Sequence, residues 1–186
     1  MSYTDRTLIF EADKIYYISN DMQYEVMMDW EDTLMSDSSA YVCQNRGDIL
    51  EIGFGMGISA GYIQSHQITS HTIIENHPQV IEKLKVWAQD KPNVNIITGS
   101  WYDVKDQLST YDGVFYDTFG DSDMNHFSSS LSSLVKQGGV ATWWNSDSSE
   151  TNYYNIPGVE YDQINVTPPK NIYFNSNVYF LPKKQF

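Results

Sequence analysis

The chain has 186 residues, within the span of roughly 50–250 typical of one domain. At 41% hydrophobic and 15% aromatic, it can build a core. No apolar run approaches the ~18 residues of a membrane span, and Met1–Phe10 lacks the basic-then-apolar pattern of a secretory signal. The formal net charge is −13, the only arginines are Arg6 and Arg46, and the lysines are scattered. That excludes a phosphate-backbone partner, so no nucleic acid and no membrane are expected. The charge either favours encounter with cations or only solubilises the surface. Cys43 is the single cysteine. It leaves no intramolecular disulfide and no Cys-based metal cluster, and it points to a cytoplasmic setting.

In chain order, residues 1–40 read as a helical segment that precedes a sheet and covers its binding edge. Its helix runs roughly from Gln23 to Met35. Val26, Met27, Met28, Trp30, Leu34 and Met35 share one face at about 100° per residue. Glu31 falls inside that face, where a carboxylate needs a partner. From residue 48 strands and helices alternate. Ile49–Ile52 is a strand and Ile58–Gln64 a helix. Thr72–Ile74 is a second strand, and Pro78 opens the next helix. Asn93–Ile97, Val114–Tyr116 and Val140–Trp144 are further strands. A helix over His126–Val135 stops at Gly138-Gly139. This order predicts an α/β fold with a doubly wound, mostly parallel sheet over one unit, residues 1–186. Val159–Val166 and Ile172–Leu181 add an antiparallel C-terminal hairpin.

The strongest signal is Asp48-Ile-Leu-Glu-Ile-Gly-Phe-Gly-Met-Gly57, a strand ending in alternating glycines before a helix. Glycine suits a sharp turn that a ligand approaches closely. Glu75 ends the second strand about 20 residues later, placed to accept from ribose hydroxyls. The spacing is not the G-x-G-x-x-G of pyrophosphate binders. Glu51 before the glycines suits a cationic sulfonium and ammonium instead. Gly99-Ser100-Trp101 ends the third strand, with Trp101 either packing on adenine or filling the core. Asp117 ends the fourth strand, as a turn cap or as a ligand group. With Glu31 it would suit a guanidinium, whose N–H fork matches carboxylates. No histidine grouping suggests a metal site.

These residues carry a family resemblance. Val26-Met-Met-Asp-Trp-Glu31, Glu51-Ile-Gly-Phe-Gly-Met-Gly-Ile58, Ile73-Ile-Glu-Asn-His-Pro78, Gly99-Ser-Trp101 and Asp112-Gly-Val-Phe-Tyr-Asp-Thr-Phe119 resemble the guanidinoacetate and type IV (δ-nitrogen) protein arginine methyltransferase group. The resemblance spans roughly residues 20–146. It implies a Rossmann-like class I fold and S-adenosylmethionine as cofactor, with S-adenosylhomocysteine as product. It implies cofactor contacts from Met27, Glu51, Gly53, Phe54, Gly55, Met56, Gly57, Glu75, Asn76, Gly99, Ser100, Trp101 and Asp117. It implies that Glu31 and Asp117 act as catalytic, acceptor-holding carboxylates, with Asn145 bordering the acceptor pocket. Guanidinoacetate enzymes bind the acceptor carboxylate just after the Asn145 position, whereas Asn145-Ser-Asp-Ser148 places Asp147 there. The acceptor thus stands open between a small guanidino compound and an arginine side chain. A methyltransferase for another amine, or a cofactor-binding module without methyl transfer, are the alternatives.

Overall fold

The computed structural model describes residues 2–120, 124–147, 149–150, 152 and 155–186, with backbone only at 124 and 125. Strand β1 (Ile9–Phe10), β2 (Lys14–Ser19) and β3 (Met22–Met28) form a small antiparallel sheet. A 3-10 turn, Asp29–Glu31, leads into helix α1 (Asp32–Val42). The main sheet then alternates with helices: β4 (Asp48–Ile52), α2 (Ile58–Ser65), β5 (Ser70–Glu75), α3 (Pro78–Trp87), β6 (Val94–Thr98) and α4 (Trp101–Val104). The chain continues through β7 (Tyr111–Tyr116), α5 (Met124–Leu134), β8 (Val135–Trp143), β9 (Val159–Asn165) and β10 (Val178–Gln185).

The seven-stranded sheet has the order β6-β5-β4-β7-β8-β10-β9. The five strands from β6 to β8 are parallel, and β10 pairs antiparallel with both β8 and β9. The doubly wound sheet and antiparallel C-terminal hairpin are therefore as expected. Successive strands run outward from β4 to β6, then return to β7 on the other side of β4. That reversal opens a crevice at the carboxyl ends of β4 and β7, where such sheets bind ligands. Val80 and Leu84 of α3, and Phe127, Leu131 and Leu134 of α5, are buried on the helix faces their spacing predicts. Among the described residues no helix is long and apolar enough to cross a membrane.

Three expectations are corrected. The helix over Gln23–Met35 does not form, since Met22–Met28 is strand β3 and helix begins only at Asp32. The reason lies in the turn. Asn20 and Asp21 take φ of 51° and 59°, the left-handed pair that closes a two-residue hairpin. β3 then pairs with the β-prone Ile15-Tyr-Tyr-Ile18 rather than coiling. The cover over the binding edge is accordingly a hairpin and an N-terminal turn, with Tyr3, Val26 and Met27 facing the crevice. Second, Gly138-Gly139 does not stop the helix. α5 ends at Leu134, and the glycines lie inside β8, where Gly138 (φ +79°) accompanies a register shift against β7. Third, the last strand starts at Val178 rather than Ile172. The buried Asn171 side chain accepts the N–H groups of Tyr173 and Phe174 and donates to the carbonyls of Pro169 and Phe174. Such local bonds compete with sheet pairing.

Two glycines separate packing from propensity. A Cβ on Gly113 of β7 would collide with the Val42 carbonyl at the end of α1 and stand 3.0 Å from Ile49 Cδ1. Gly61, exposed on α2, has nothing within 4 Å of that position. Gly113→Ala should lower unfolding free energy by about 1–3 kcal/mol through overpacking. Gly61→Ala should raise it by roughly 0.5–1 kcal/mol through helix propensity. Urea unfolding checks both, and equal effects would disprove the packing account.

Candidate active site

The crevice encloses about 680 Å³ including its open mouth. Its floor is the glycine loop. Gly53, Gly55 and Gly57 have φ of 94°, 53° and 76°, which side chains rarely adopt. A Cβ on Gly53 would meet the Asp117 carbonyl, and one on Gly55 would meet Met27 Sδ. The loop is thus pressed between β7 and β3, and Met56 N–H points at Met27 Sδ, 3.2 Å away. Gly57 caps α2, its N–H bonded to the Phe54 carbonyl.

Glu75 closes one side. Its Oε2 accepts the Phe54 N–H at 3.0 Å, and its Oε1 accepts those of Asn76 and His77 at 2.8 Å each. The carboxylate therefore braces the glycine loop while facing the crevice. Asn76, Gly99 and Trp101 continue this wall. Trp101 is buried among Tyr102, Tyr116 and Phe127, edge-on to each, so it fills the core. It also lines the crevice, and its buried Nε1 has no hydrogen-bond partner. Of the two roles weighed from sequence, the core-filling one is what these contacts show. Ser100 precedes α4 at its N-cap position.

The other end holds two carboxyls. Glu31, on the 3-10 turn after β3, is buried. Its Oε1 accepts from Met28 N–H at 2.9 Å and from the Tyr173 hydroxyl at 2.6 Å. Asp117 follows β7, its N–H bonded to the Ile52 carbonyl. Its carboxyl takes no hydrogen bond from the described residues. No lysine or arginine lines the crevice. Burial first, and then the Asp117 charge, hold the Glu31 carboxyl well above the usual carboxylate range. Burial first, and then Glu51, do the same to Asp117. A cation between the two would favour their ionised forms.

Five expected site residues, Glu51, Met56, Gly57, Ser100 and Asn145, do not line the crevice. Glu51 is fully buried and faces away, with Ser59 Oγ donating to it and His71 Nε2 at 2.9 Å. Gln64 Nε2 lies 3.2 Å from His71 Nδ1, which places the ring proton on Nε2, toward Glu51. Asn145 is also spent on structure. Its Nδ2 donates to the carbonyls of Ser149 and Phe180, and its Oδ1 accepts from Asp147 N–H. The rest of that run, Ser148, lies outside the described residues. Conversely, Tyr3, Thr118, Phe119 and Tyr173 escaped the sequence reading. Tyr3 packs on His77 and Phe119, with ring centroids 4.8 and 5.2 Å away. Only the proximity of Thr118 and Phe119 to Asp117 gave any local signal. Among the described residues no group of three or more His, Cys, Asp or Glu is placed to hold a metal ion.

Comparison with known proteins follows this geometry. Over 134 residues the chain is 38% identical to a protein arginine N-methyltransferase 2 from Yarrowia lipolytica, covering 64% of this chain and 28% of that protein. The protein of the same name from Kluyveromyces lactis is 34% identical over 159 residues, 72% of this chain and 39% of that one. The chain thus spans about a third of the length of the curated relatives it matches. Among solved structures, a spermidine synthase bound to the transition-state analogue AdoDATO superposes with a TM-score of 0.65 at 14% identity, covering 97% of this chain and 72% of that one. A precorrin-6y C5,15-methyltransferase from Geobacter metallireducens gives 0.65 at 12% identity, with 90% and 93% coverage. These two show the fold alone. The guanidinoacetate N-methyltransferase family model matches residues 10–170, and the chain belongs to that family.

Proposed function

We propose that this chain is an S-adenosylmethionine-dependent N-methyltransferase that modifies a guanidino group. The observation that carries the reading is the pair Glu31 and Asp117, two carboxyls at one end of a glycine-floored crevice with no protein cation between them. A planar guanidinium supplies both the charge and the forked donors such a pair lacks. The family match and the arginine N-methyltransferase relatives support the same acceptor chemistry. An acceptor carboxylate would enter a crevice that already holds Glu31, Glu75 and Asp117 and that no described lysine or arginine lines. An arginine side chain or a cationic guanidine therefore fits better than a guanidino acid.

The residues fit the cofactor. The glycine cradle has no room for side chains, Glu75 presents lone pairs to a ribose diol, and the orphan Trp101 Nε1 offers a donor to an adenine edge. Met27, Phe54, Gly55 and Asn76 complete that wall. When bound, the cofactor supplies a methyl group on a sulfonium. Glu31 and Asp117 would hold and orient the guanidino group at their end of the crevice, and alignment of this kind supplies up to about 7–11 kcal/mol of a barrier. A guanidinium is a poor nucleophile because it keeps its proton to a pH above about 12. The nitrogen would take the methyl as its carbon–sulfur bond breaks to leave a neutral thioether, and would give its proton to a carboxylate. The raised proton affinity of this pair makes it a better base than an exposed carboxylate.

Methyl transfer from labelled S-adenosylmethionine to guanidino compounds and arginine peptides, with the methylated nitrogen located by mass, tests the whole reading. Protein that binds cofactor but methylates none of them would be a binding module. Glu31→Gln and Asp117→Asn should each keep S-adenosylhomocysteine affinity within a few fold, Glu31 being the cleaner probe. Each turns N–H donors toward the acceptor's donors. Losing one charged partner costs about 2–5 kcal/mol, so turnover should fall by tens to thousands of fold. The double variant should be less than additive.

Glu75 gives the cofactor test. Glu75→Gln sets an amide N–H against a backbone donor whichever way it turns, so it loosens the loop as well. S-adenosylhomocysteine affinity should drop roughly ten- to hundred-fold, the worth of one charge-assisted hydrogen bond. Calorimetric titration reads it, and undiminished affinity in folded protein would remove Glu75 from the ribose site.

The carboxyl pair also predicts a pH signature. An acid whose folded titration is raised above its unfolded value of about 4 binds more protons when folded. Stability then falls as pH rises through the window between the two values. Wild type and Glu31→Gln should melt at similar temperatures near ~pH 4, below that window. Above the raised range, the variant should melt higher. A variant that melts lower at alkaline pH would show that Glu31 stabilises the fold.

A further inference from the structure

We propose that Tyr173 is a positioning residue for the reaction, its hydroxyl fixing one oxygen of Glu31 so that the other is presented to the acceptor. The inference rests on the guanidino reading above and deepens it. Both donors that reach Glu31, the Tyr173 hydroxyl at 2.6 Å and Met28 N–H at 2.9 Å, converge on Oε1. Oε2 takes no hydrogen bond from any described residue, and Glu31 lines the crevice. One oxygen is saturated and the other is free for a guanidinium.

The phenol itself is held from three sides. Asn171 Oδ1 accepts the Tyr173 N–H at 2.9 Å, fixing the turn that carries it. The ring lies against Trp30 at 6.2 Å and Trp144 at 6.0 Å between centroids. Trp30 Nε1 donates to the phenol oxygen at 3.2 Å. An indole nitrogen can only donate. The single hydroxyl proton therefore has one acceptor among the described residues, Glu31, and Tyr173 orients that carboxylate.

The titratable groups facing Glu31 are Asp117 after β7, Tyr179 on β10 and Tyr173 itself, with Glu51 acting on Asp117. Asp117 and burial favour protonated Glu31, whereas the Tyr173 hydrogen bond opposes them. Burial and the neighbouring Glu31 charge push the phenol up, so it stays a donor at any working pH.

The test compares wild type with Tyr173→Phe. Three readouts are taken: the pH profile of kcat/KM, S-adenosylhomocysteine affinity, and the Glu31 carboxyl titration by 13C NMR, assigned by its loss in Glu31→Gln. Cofactor affinity should hold within a few fold. At neutral pH kcat/KM should fall roughly ten- to hundred-fold, the loss of one hydrogen bond to a charged group. The Glu31 titration should move to higher pH, with activity recovering as pH rises. A difluorotyrosine at 173, nearly isosteric and a stronger donor, should move the titration the opposite way. It keeps the question answerable should Tyr173→Phe fail to fold. Active wild type with an unmoved titration and profile in the variants overturns the role of Tyr173 alone. Wild type that methylates no guanidino acceptor overturns both the role and the reading beneath it.

Discussion

Two acids held near each other away from water set the terms for the rest of this structure. An isolated buried carboxylate is costly, and two of them repel. Among the described residues Glu31 and Asp117 meet no lysine or arginine, only donors on one oxygen of one of them. Such an arrangement persists only where the surrounding fold over-determines it. Glu31 and its Met28 donor are placed by the end of β3 and the 3-10 turn it feeds, Asp117 by the end of a central strand, and the Tyr173 donor by the far C-terminal turn. Three distant stretches of sequence converge on one pair of oxygens. A cation with planar, forked donors relieves the repulsion, so binding selectivity and fold instability share one origin.

The topology explains why the pair stands beside the glycine loop. β4 and β7 are adjacent parallel strands at the point where the strand order reverses. Their carboxyl ends necessarily lie side by side. Gly53 and Asp117 follow those ends so closely that a Cβ on the glycine would strike the Asp117 carbonyl. The cradle and the carboxyl are thus one construction, and a side chain in the loop would displace both. Glu75 adds the third strand to it by accepting the Phe54 amide across the loop.

What was legible in the sequence follows from how local each signal is. The strand-glycine-helix unit, Glu75 and Asp117 each sit at the end of a strand that declares itself within a few residues. The β2–β3 hairpin was not legible because Val26, Met27, Trp30 and Leu34 satisfy a helical period by coincidence. The deciding signal was Asn20-Asp21, a turn pair without the usual glycine. Glu51 was legible as an acid before glycines but not in its orientation, which His71 on the neighbouring strand sets. Tyr173 was invisible because its partner lies 142 residues away. Its position depends on Asn171 having broken the strand expected there.

That broken strand bears on how a short C-terminal region can still close the crevice. Only residues 144–158 lie between the fifth parallel strand and the final hairpin, too few for another layer. The chain instead folds the turn at 169–174 back toward the carboxyl pair. Phe174 stacks near Trp30 at 5.7 Å, and Tyr179 lies 5.2 Å from Trp144. The Tyr179 hydroxyl accepts the Asn145 N–H at 2.8 Å, tying the end of β8 to β10. Asn145 thereby shapes the acceptor end without entering it. The resulting aromatic wall excludes water from one side of Glu31. In such a setting the attraction between carboxylate and guanidinium is stronger than in water. The same wall raises the proton affinity of the carboxyl, so one group of aromatic rings both strengthens the grip on the acceptor and prepares the base that takes its proton.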